Sequence, residues 1–271
     1  MNLGIVILTK GNLEILFSCL KSIKKYTEET EYTIYVADTG STIEEQQSTI
    51  QFIKETFSDS KNCKFYKLNY YNFARCNNFI INEVVKEDYV LLCNNDIELL
   101  DNSIDIILRR MVSDVKIGTG GCRLIYPQNG TIQHAGQFCK IARFDEAAGD
   151  LAHMSHLSCG HRGQFTNNTY ADWEPIMGNT GGYMFVEREK YLKAGGLNEK
   201  YKVCFEDVEF NLMMYKNGYR NMYCDTVQCK HYESLTRGGT YHRPDHSQVL
   251  TPYFNSLPMD VKTIVTNLPD R

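Results

Sequence analysis

At 271 residues with 42% hydrophobic side chains, the chain is long enough for one large α/β domain, with or without a small appendage. Acids and bases are interspersed and the net charge is −4, so no basic stripe supports nucleic-acid binding. No apolar run approaches the length of a membrane span, and Met1 to Leu8 lacks the basic leader and small-residue cleavage site of a signal peptide.

The ten cysteines are scattered singly, many in apolar runs (Cys19, Cys93, Cys122, Cys204), and no CxxC pair occurs. That pattern reads as a reduced, cytoplasmic protein with small buried thiols. An exported protein with five disulfides is the alternative, and the missing signal sequence argues against it.

The first strand runs from Leu3 to Thr9. Asn12 then caps a helix with apolar positions Leu13, Leu16, Leu20 and Ile23. Thr33 to Ala37 is a second strand, ending in Asp38-Thr39-Gly40-Ser41. Thr42 to Phe57 is helical, Cys63 to Leu68 is a strand, Phe73 to Lys86 a helix and Tyr89 to Cys93 a fourth strand. This alternation implies a parallel sheet with right-handed crossovers. Thr9-Lys10-Gly11-Asn12 stands where a dinucleotide-binding fold would carry GxGxxG, so a pyrophosphate cradle of that kind is not expected.

After a helix from Ile104 to Met111, Ile117 to Ile125 and Thr131 to Phe138 read as strands joined by a turn at Pro127 to Gly130. Residues 141 to 175 read as irregular, and a loop of that length is usually functional or mobile. Gly181 to Val186 reads as a strand, Arg188 to Ala194 and Phe205 to Lys216 as helices, and Arg220 to Tyr223 and Val227 to Lys230 as short strands. From Pro244 onward no element is evident.

The most informative stretch is Leu91-Leu92-Cys93-Asn94-Asn95-Asp96-Ile97. A buried strand there delivers two amides and one carboxylate to its carboxyl end, the edge where open α/β sheets bind ligands. A lone carboxylate at that edge suits a hard divalent cation that also holds phosphate oxygens; an Asx turn is the structural alternative. Asp38, the Glu206-Asp207 pair and His231 also fall at strand ends or helix starts. Each has an ordinary explanation: a turn, a helix N-terminus favouring acids, a strand-end histidine. Their joint placement is harder to explain that way.

Taken as an ordered set, these pieces resemble a family-2 inverting glycosyltransferase of the GT-A fold, of a rhamnosyltransferase-like, polysaccharide-biosynthesis subgroup. The pieces are Val6-Ile7-Leu8-Thr9-Lys10, Val36-Ala37-Asp38-Thr39-Gly40-Ser41, Asn72-Phe73-Ala74-Arg75-Cys76-Asn77-Asn78 and Asn94-Asn95-Asp96. The C-terminal half adds Ile132-Gln133-His134-Ala135-Gly136, Gly181-Gly182-Tyr183, Gly195-Gly196-Leu197, Phe205-Glu206-Asp207-Val208, Gly218-Tyr219-Arg220 and His231-Tyr232-Glu233-Ser234. The resemblance covers residues 3 to 240 and implies a Rossmann-like, mainly parallel sheet flanked by helices, with a smaller mixed sheet on the acceptor side. Its domain would span 1–243, a nucleotide-sugar half (1–100) and an acceptor and catalytic half (101–243), before a C-terminal tail (244–271).

By that resemblance, Asp38 recognises the base, with Thr9 and Lys10 in the same pocket, and Arg75 and Asn78 lie near ribose or diphosphate. Asn94-Asn95-Asp96 stands for the D-x-D metal motif with its first acid replaced, so Asp96 and the distant His231 become the metal ligands. An imidazole ligand favours Mn²⁺ over Mg²⁺. Asp207 is the expected base and Glu206 an acceptor-binding or orienting partner, with the two roles exchangeable. Adjacent carboxylates at a partly buried site would raise one pKa, which suits a base. Arg237 would supply a second counter-charge from a loop closing over the diphosphate; a solvated loop is the alternative. Trp173, Gly181 and Gly182 are acceptor-side candidates, although a tryptophan in this setting also suits a core. His153, His156 and His161 are spaced too irregularly for a metal site.

The expected activity is hexosyl transfer from a UDP- or dTDP-sugar to a polysaccharide or lipid-linked glycan, with peripheral membrane contact left open. Two other classes remain: a sugar-nucleotidyltransferase, which would want a better phosphate loop after the first strand, and a non-catalytic nucleotide-sugar or glycan-binding domain, against which Asp96, Asp207 and His231 argue.

Overall fold

The apolar N-terminal run forms a buried strand, β1 (Asn2–Thr9), in a computed structural model that describes residues 2–57, 62–144, 154–202, 204–233 and 246–270. Helix α1 (Leu13–Tyr26) turns Leu16, Cys19, Leu20 and Ile23 inward at helical spacing. Asn12 precedes it without a side-chain cap. It contributes instead a left-handed turn with Gly11, at φ 56° and 61°, a region asparagine tolerates better than most residues.

β2 (Glu31–Asp38) leads to α2 (Ile43–Thr56), which opens on a capping box between Thr42 and Glu45. β3 (Cys63–Lys67) follows. α3 (Phe73–Phe79) is capped by Asn72 and continues as a π-helical turn to Val84. β4 (Tyr89–Asn94) completes a parallel set in the order β3-β2-β1-β4. These strands are apolar on both faces because both faces are covered. Leu3, Ile5 and Ile7 of β1 join α1 and α2 on one side, while Val6 joins the α3 side.

The second half extends the same sheet through β5 (Ile97–Leu99), α4 (Ser103–Val112), β6 (Ile117–Ile125) and β7 (Ile132–His134). After β8 (Gln137–Phe144), β9 (Met154–His161) and β10 (Glu174–Ile176) come β11 (Tyr183–Glu187), α5 (Arg188–Lys193), α6 (Glu206–Lys216) and β12 (Arg220–His231). β11 lies antiparallel between β4 and β6, and β6 pairs in parallel with β12. The two short strands expected near the end of this region are one strand with an irregularity between Cys224 and Gln228.

The segment from Thr131 to Phe138 is not one strand. It breaks at Gly136, whose φ is 102° and where a Cβ would stand 3.1 Å from Ile176. Residues beyond the break leave the main sheet as β8, which pairs with β9 in a separate antiparallel sheet. Part of the region read as irregular is therefore the small second sheet.

The stretch from residue 246 is helical. A π-helical turn at His246–Leu250 runs into α7 (Thr251–Ser256) and then α8 (Met259–Thr266). Leu250, Phe254, Leu257, Val261 and Val265 pack on Val208, Leu212 and Tyr215 of α6 and on Cys139 and Leu157 of the second sheet. Among the described residues no helix is long and apolar enough to cross a membrane.

Phe254 is fully buried in that cluster. Phe254→Ala should lower the unfolding free energy by about 3–5 kcal/mol, measured by urea denaturation. A loss below 1 kcal/mol (about the size of a surface effect) would show that these helices do not brace α6.

Candidate active site

Strand ends set the site. Parallel pairing aligns Thr9 of β1 with Asp38 of β2, and Leu8 with Asn94 of β4. The chain then turns through Asn95 and Asp96 into β5, where antiparallel pairing sets Ile97 opposite His231, the last residue of β12. The turn before β11 and the start of α6 close the other side. Between them lies a cavity of about 580 Å³, within the range of small-molecule sites.

On one wall, His231 Nε2 is 3.2 Å from Asp96 Oδ1 and 3.2 Å from Asn94 Nδ2. His231 Nδ1 is 2.5 Å from Gln133 Oε1. Asp96 and His231 are both buried, and Asp96 Oδ1 receives no hydrogen bond. A buried carboxylate oxygen without a donor is costly. Beside an imidazole nitrogen it is a donor set that fits a divalent cation. Asn95 turns away from the pair and donates to Thr9 Oγ1 at 3.2 Å.

On the opposite wall, α6 begins after two left-handed residues, Cys204 at φ 63° and Phe205 at φ 70°. Such backbone costs about 1–3 kcal/mol per residue and clusters at functional sites. It aims Asp207 and the buried Glu206 into the cavity. Asp207 Oδ2 accepts from Gly181 N at 2.8 Å and Gln137 Nε2 at 2.9 Å, and Oδ1 accepts from Val208 N at 2.8 Å. The carboxylate is thereby fixed in direction at a helix N-terminus.

Thr9, Lys10, Asn94, Asn95, Asp96, Gly181, Gly182, Glu206, Asp207 and His231 all line this cavity. Asp38 does not, although its neighbour Thr39 does. The hydrogen bonds that Asp38 receives from Gly40, Ser41 and Gln46 all fall on Oδ1, so it braces the loop after β2. Arg75 is exposed and stacks over Tyr70, away from the cavity.

Two expectations are corrected. Asn78 is buried and spends its amide inside the protein. Nδ2 donates to Leu197 O and Glu199 Oε1, and Oδ1 accepts from Tyr191 and Leu197 N. It ties α3 to the loop after α5 and has nothing left for ribose or phosphate. Trp173 packs against the core under Arg110, 5.3 Å from its guanidinium, and does not line the cavity. Tyr71, Phe73 and Phe205 do. Arg237 lies outside the described residues, as does His153.

Gln133, Gln137 and His161 also reach the site and carry no charge by which a sequence would mark them. His161 Nδ1 meets His134 Nδ1 at 2.8 Å. Burial pushes both imidazoles below the ordinary histidine range, so one neutral ring donates to the other. Among the described residues no group of three or more His, Cys, Asp and Glu side chains converges as a metal cluster.

The sequence model described as glycosyl transferase family 2 matches residues 4–194. The chain belongs to that family. It is 25% identical over 236 residues to "O-antigen biosynthesis protein RfbC" of Myxococcus xanthus, covering 86% of this chain and 17% of that protein. It is also 25% identical over 240 residues to an uncharacterized protein of Sinorhizobium fredii, covering 87% of this chain and 25% of that one. The chain thus spans a quarter or less of the length of these relatives.

Two solved structures share the fold. GalNAc-T7 with UDP, GalNAc and Mn²⁺ superposes with a TM-score of 0.68 at 13% identity, over 90% of this chain and 45% of that one. The mannosyltransferase PcManGT of Pyrobaculum calidifontis, in complex with GDP-Man and Mn²⁺, gives 0.65 at 15%, over 97% and 67%. This family member has the GT-A fold.

Gly182 belongs to the wall formed by Asn94, Asp96 and His231. A Cβ there would stand 3.2 Å from Asn94 Nδ2 and 3.4 Å from His231 Cε1, and its backbone is not left-handed. Gly182→Ala should therefore fold normally yet weaken Mn²⁺-dependent UDP binding roughly tenfold through crowding, read by calorimetric titration. Unchanged affinity would show that the wall can shift freely.

Proposed function

We propose that this glycosyltransferase-family chain moves a sugar from a nucleoside-diphosphate sugar to a carbohydrate acceptor, inverting the anomeric centre, with a divalent cation held by Asp96 and His231. The observation that carries the reading is the role of two adjacent glycines. Gly181 N fixes Asp207 Oδ2, while Gly182 backs onto Asn94 and His231. A proton acceptor and a cation-binding pair thus flank one sugar-sized space.

In that space the acceptor hydroxyl gives its proton to Asp207 as its oxygen bonds to the anomeric carbon. The bond from that carbon to the diphosphate oxygen breaks on the opposite face. The bound cation would act as a Lewis acid on the departing diphosphate. Lys10, exposed at the rim, adds positive charge, and Thr9 with Asn95 shapes the floor. Glu206 orients the acceptor, and Tyr71 and Phe73 take the stacking role expected of Trp173.

Asp38 reads the base with Oδ2, because its Oδ1 serves the loop. An imide N–H of uracil or thymine suits that oxygen, as does the N1–H of guanine, and a UDP- or dTDP-sugar is the favoured donor. The name of the Myxococcus relative supports a polysaccharide acceptor, and the complexes of the two solved structures support a nucleotide sugar with Mn²⁺.

Asp38→Asn keeps an oxygen for Gly40 and Ser41 and puts an NH₂ group where the base is read. Affinity for uridine should fall about tenfold with no loss of thermal stability. Equal uridine affinity in the two proteins would leave Asp38 as a loop brace only.

Asp96→Ala should abolish Mn²⁺-dependent UDP binding with the fold intact; retained binding removes the metal assignment. Asp207→Asn should lower turnover by on the order of 10²–10⁴ with donor affinity unchanged, and NMR of the product should show inverted configuration. Retention, or near-normal turnover, refutes the mechanism. A large loss in Glu206→Gln instead would exchange the two roles.

A further inference from the structure

β7 brings one uncharged amide, Gln133, to the metal-side wall, fully within the protein at 4% exposure. Its Nε2 donates to Glu233 Oε2 at 3.0 Å, and its Oε1 is 2.5 Å from His231 Nδ1. The direction of the amide follows from its partners. A carboxylate only accepts, so the NH₂ end faces Glu233 and the carbonyl faces the imidazole. A carbonyl has no hydrogen to give, so Nδ1 carries the ring proton.

When the ring is neutral, its lone pair therefore lies on Nε2. Two groups stand 3.2 Å from that nitrogen. Asn94 Nδ2 is a donor and satisfies it. Asp96 Oδ1 is an acceptor with no donor of its own, so two lone pairs confront each other in a buried place. A cation bound to both relieves that confrontation, and the opposite tautomer, with Nε2–H against Asp96, would block it.

We infer that Gln133 is a positioning residue that selects the metal-binding tautomer of His231, with Glu233 fixing the direction of its amide. The inference rests on the proposed pairing of Asp96 and His231 as metal ligands. Hydrogen bonding of the distal N–H to a carbonyl also raises the basicity of the ligating nitrogen. Asn94 becomes intelligible on the same terms. An amide can donate to Nε2 before a cation arrives, whereas an aspartate there would add a third lone pair.

The test uses the full chain with Mn²⁺ and UDP. Nitrogen-15 NMR of the metal-free protein, with the imidazole neutral, should show His231 protonated at Nδ1. A proton on Nε2 overturns the inference whatever any variant does. Gln133→Met keeps the side-chain volume and removes the acceptor. Mn²⁺ affinity, read by electron paramagnetic resonance of the free ion with UDP present, should fall about 10- to 100-fold. The paired exchange Gln133→Glu with Glu233→Gln restores a carbonyl-type acceptor on Nδ1 and a donor behind it, and should return Mn²⁺ affinity to near the wild-type value. Unchanged Mn²⁺ affinity in Gln133→Met refutes the role of Gln133. His231→Ala separates the two levels: if it too retains Mn²⁺, the metal reading itself has failed; if it loses Mn²⁺ while Gln133→Met does not, only this inference has.

Discussion

A three-residue antiparallel ladder, Ile97, Glu98 and Leu99 against His231, Lys230 and Cys229, brings Asn94 and Asp96 to His231 on one wall of the cavity. Asn94 and His231 are 137 positions apart, and no local contact could align them. The ladder does so by register, and Tyr232 N extends it to Asp96 O at 3.1 Å. Slipping that register by one residue would turn the His231 side chain to the other face. The ion pair between Lys230 and Glu98, at 3.3 Å and partly exposed, adds little. What holds the ladder is burial: Ile97, Leu99 and Cys229 all sit in the main core.

The wall that carries Asp207 is fixed differently, by neutral amides. Asn211 of α6 donates to Gln137 Oε1, Asn179 O and Asp207 O, and its Oδ1 accepts from Thr119 Oγ1 and Asn179 N. Asn221 donates to Asn211 O and Met177 O. Amides cost far less to bury than charges, and a network this connected defines one arrangement of α6 against β6 and β12. Glycines make the approach possible: a Cβ at Gly178 would lie 2.4 Å from Asn211 Cγ. Asp207 therefore receives its orientation from groups that carry no charge themselves.

The parallel half of the fold was legible because its strands are apolar on both faces and alternate with amphipathic helices. Asp96, Asp207 and His231 stood out in the sequence as charged or ligating groups at the ends of apolar runs, and the fold brings the three to one cavity. Other parts depend on partners far away in sequence. The helices after residue 246 are short, and Leu250, Phe254 and Val261 form a face only against α6. β8 and β9 divide their residues between the cavity, which Gln137 and His161 line, and a small core that Cys139 and Leu157 share with α6 and the C-terminal helices. Asn78 was misread because a sequence shows an amide's capacity and not how it is spent. Trp173 had two readings, because a large ring near a glycine-rich turn signals a sugar platform and a core plug alike, and it packs against the core. Gln133 and Gln137 had no charge to announce them, though Gln133 stood inside a motif already noticed.

The replacement of an acid by Asn94 also bears on charge in the proposed reading. With His231 neutral, the ligand set carries one negative charge. A divalent cation bound there leaves a net positive centre facing the diphosphate, where a second carboxylate would cancel it. At short range and reduced dielectric, one unit of charge is worth several kcal/mol to a leaving group that gains negative charge as its bond breaks. The amide thus serves twice: it satisfies Nε2 while no cation is present, and it withholds a charge that would weaken the cation's pull on the departing diphosphate. Lys10 at the rim acts in the same direction from the solvent side. A site with a single carboxylate is in this sense better matched to an anionic leaving group than a two-carboxylate site, provided that the imidazole presents the lone pair of Nε2 to the cation, the tautomer that the Gln133 carbonyl selects.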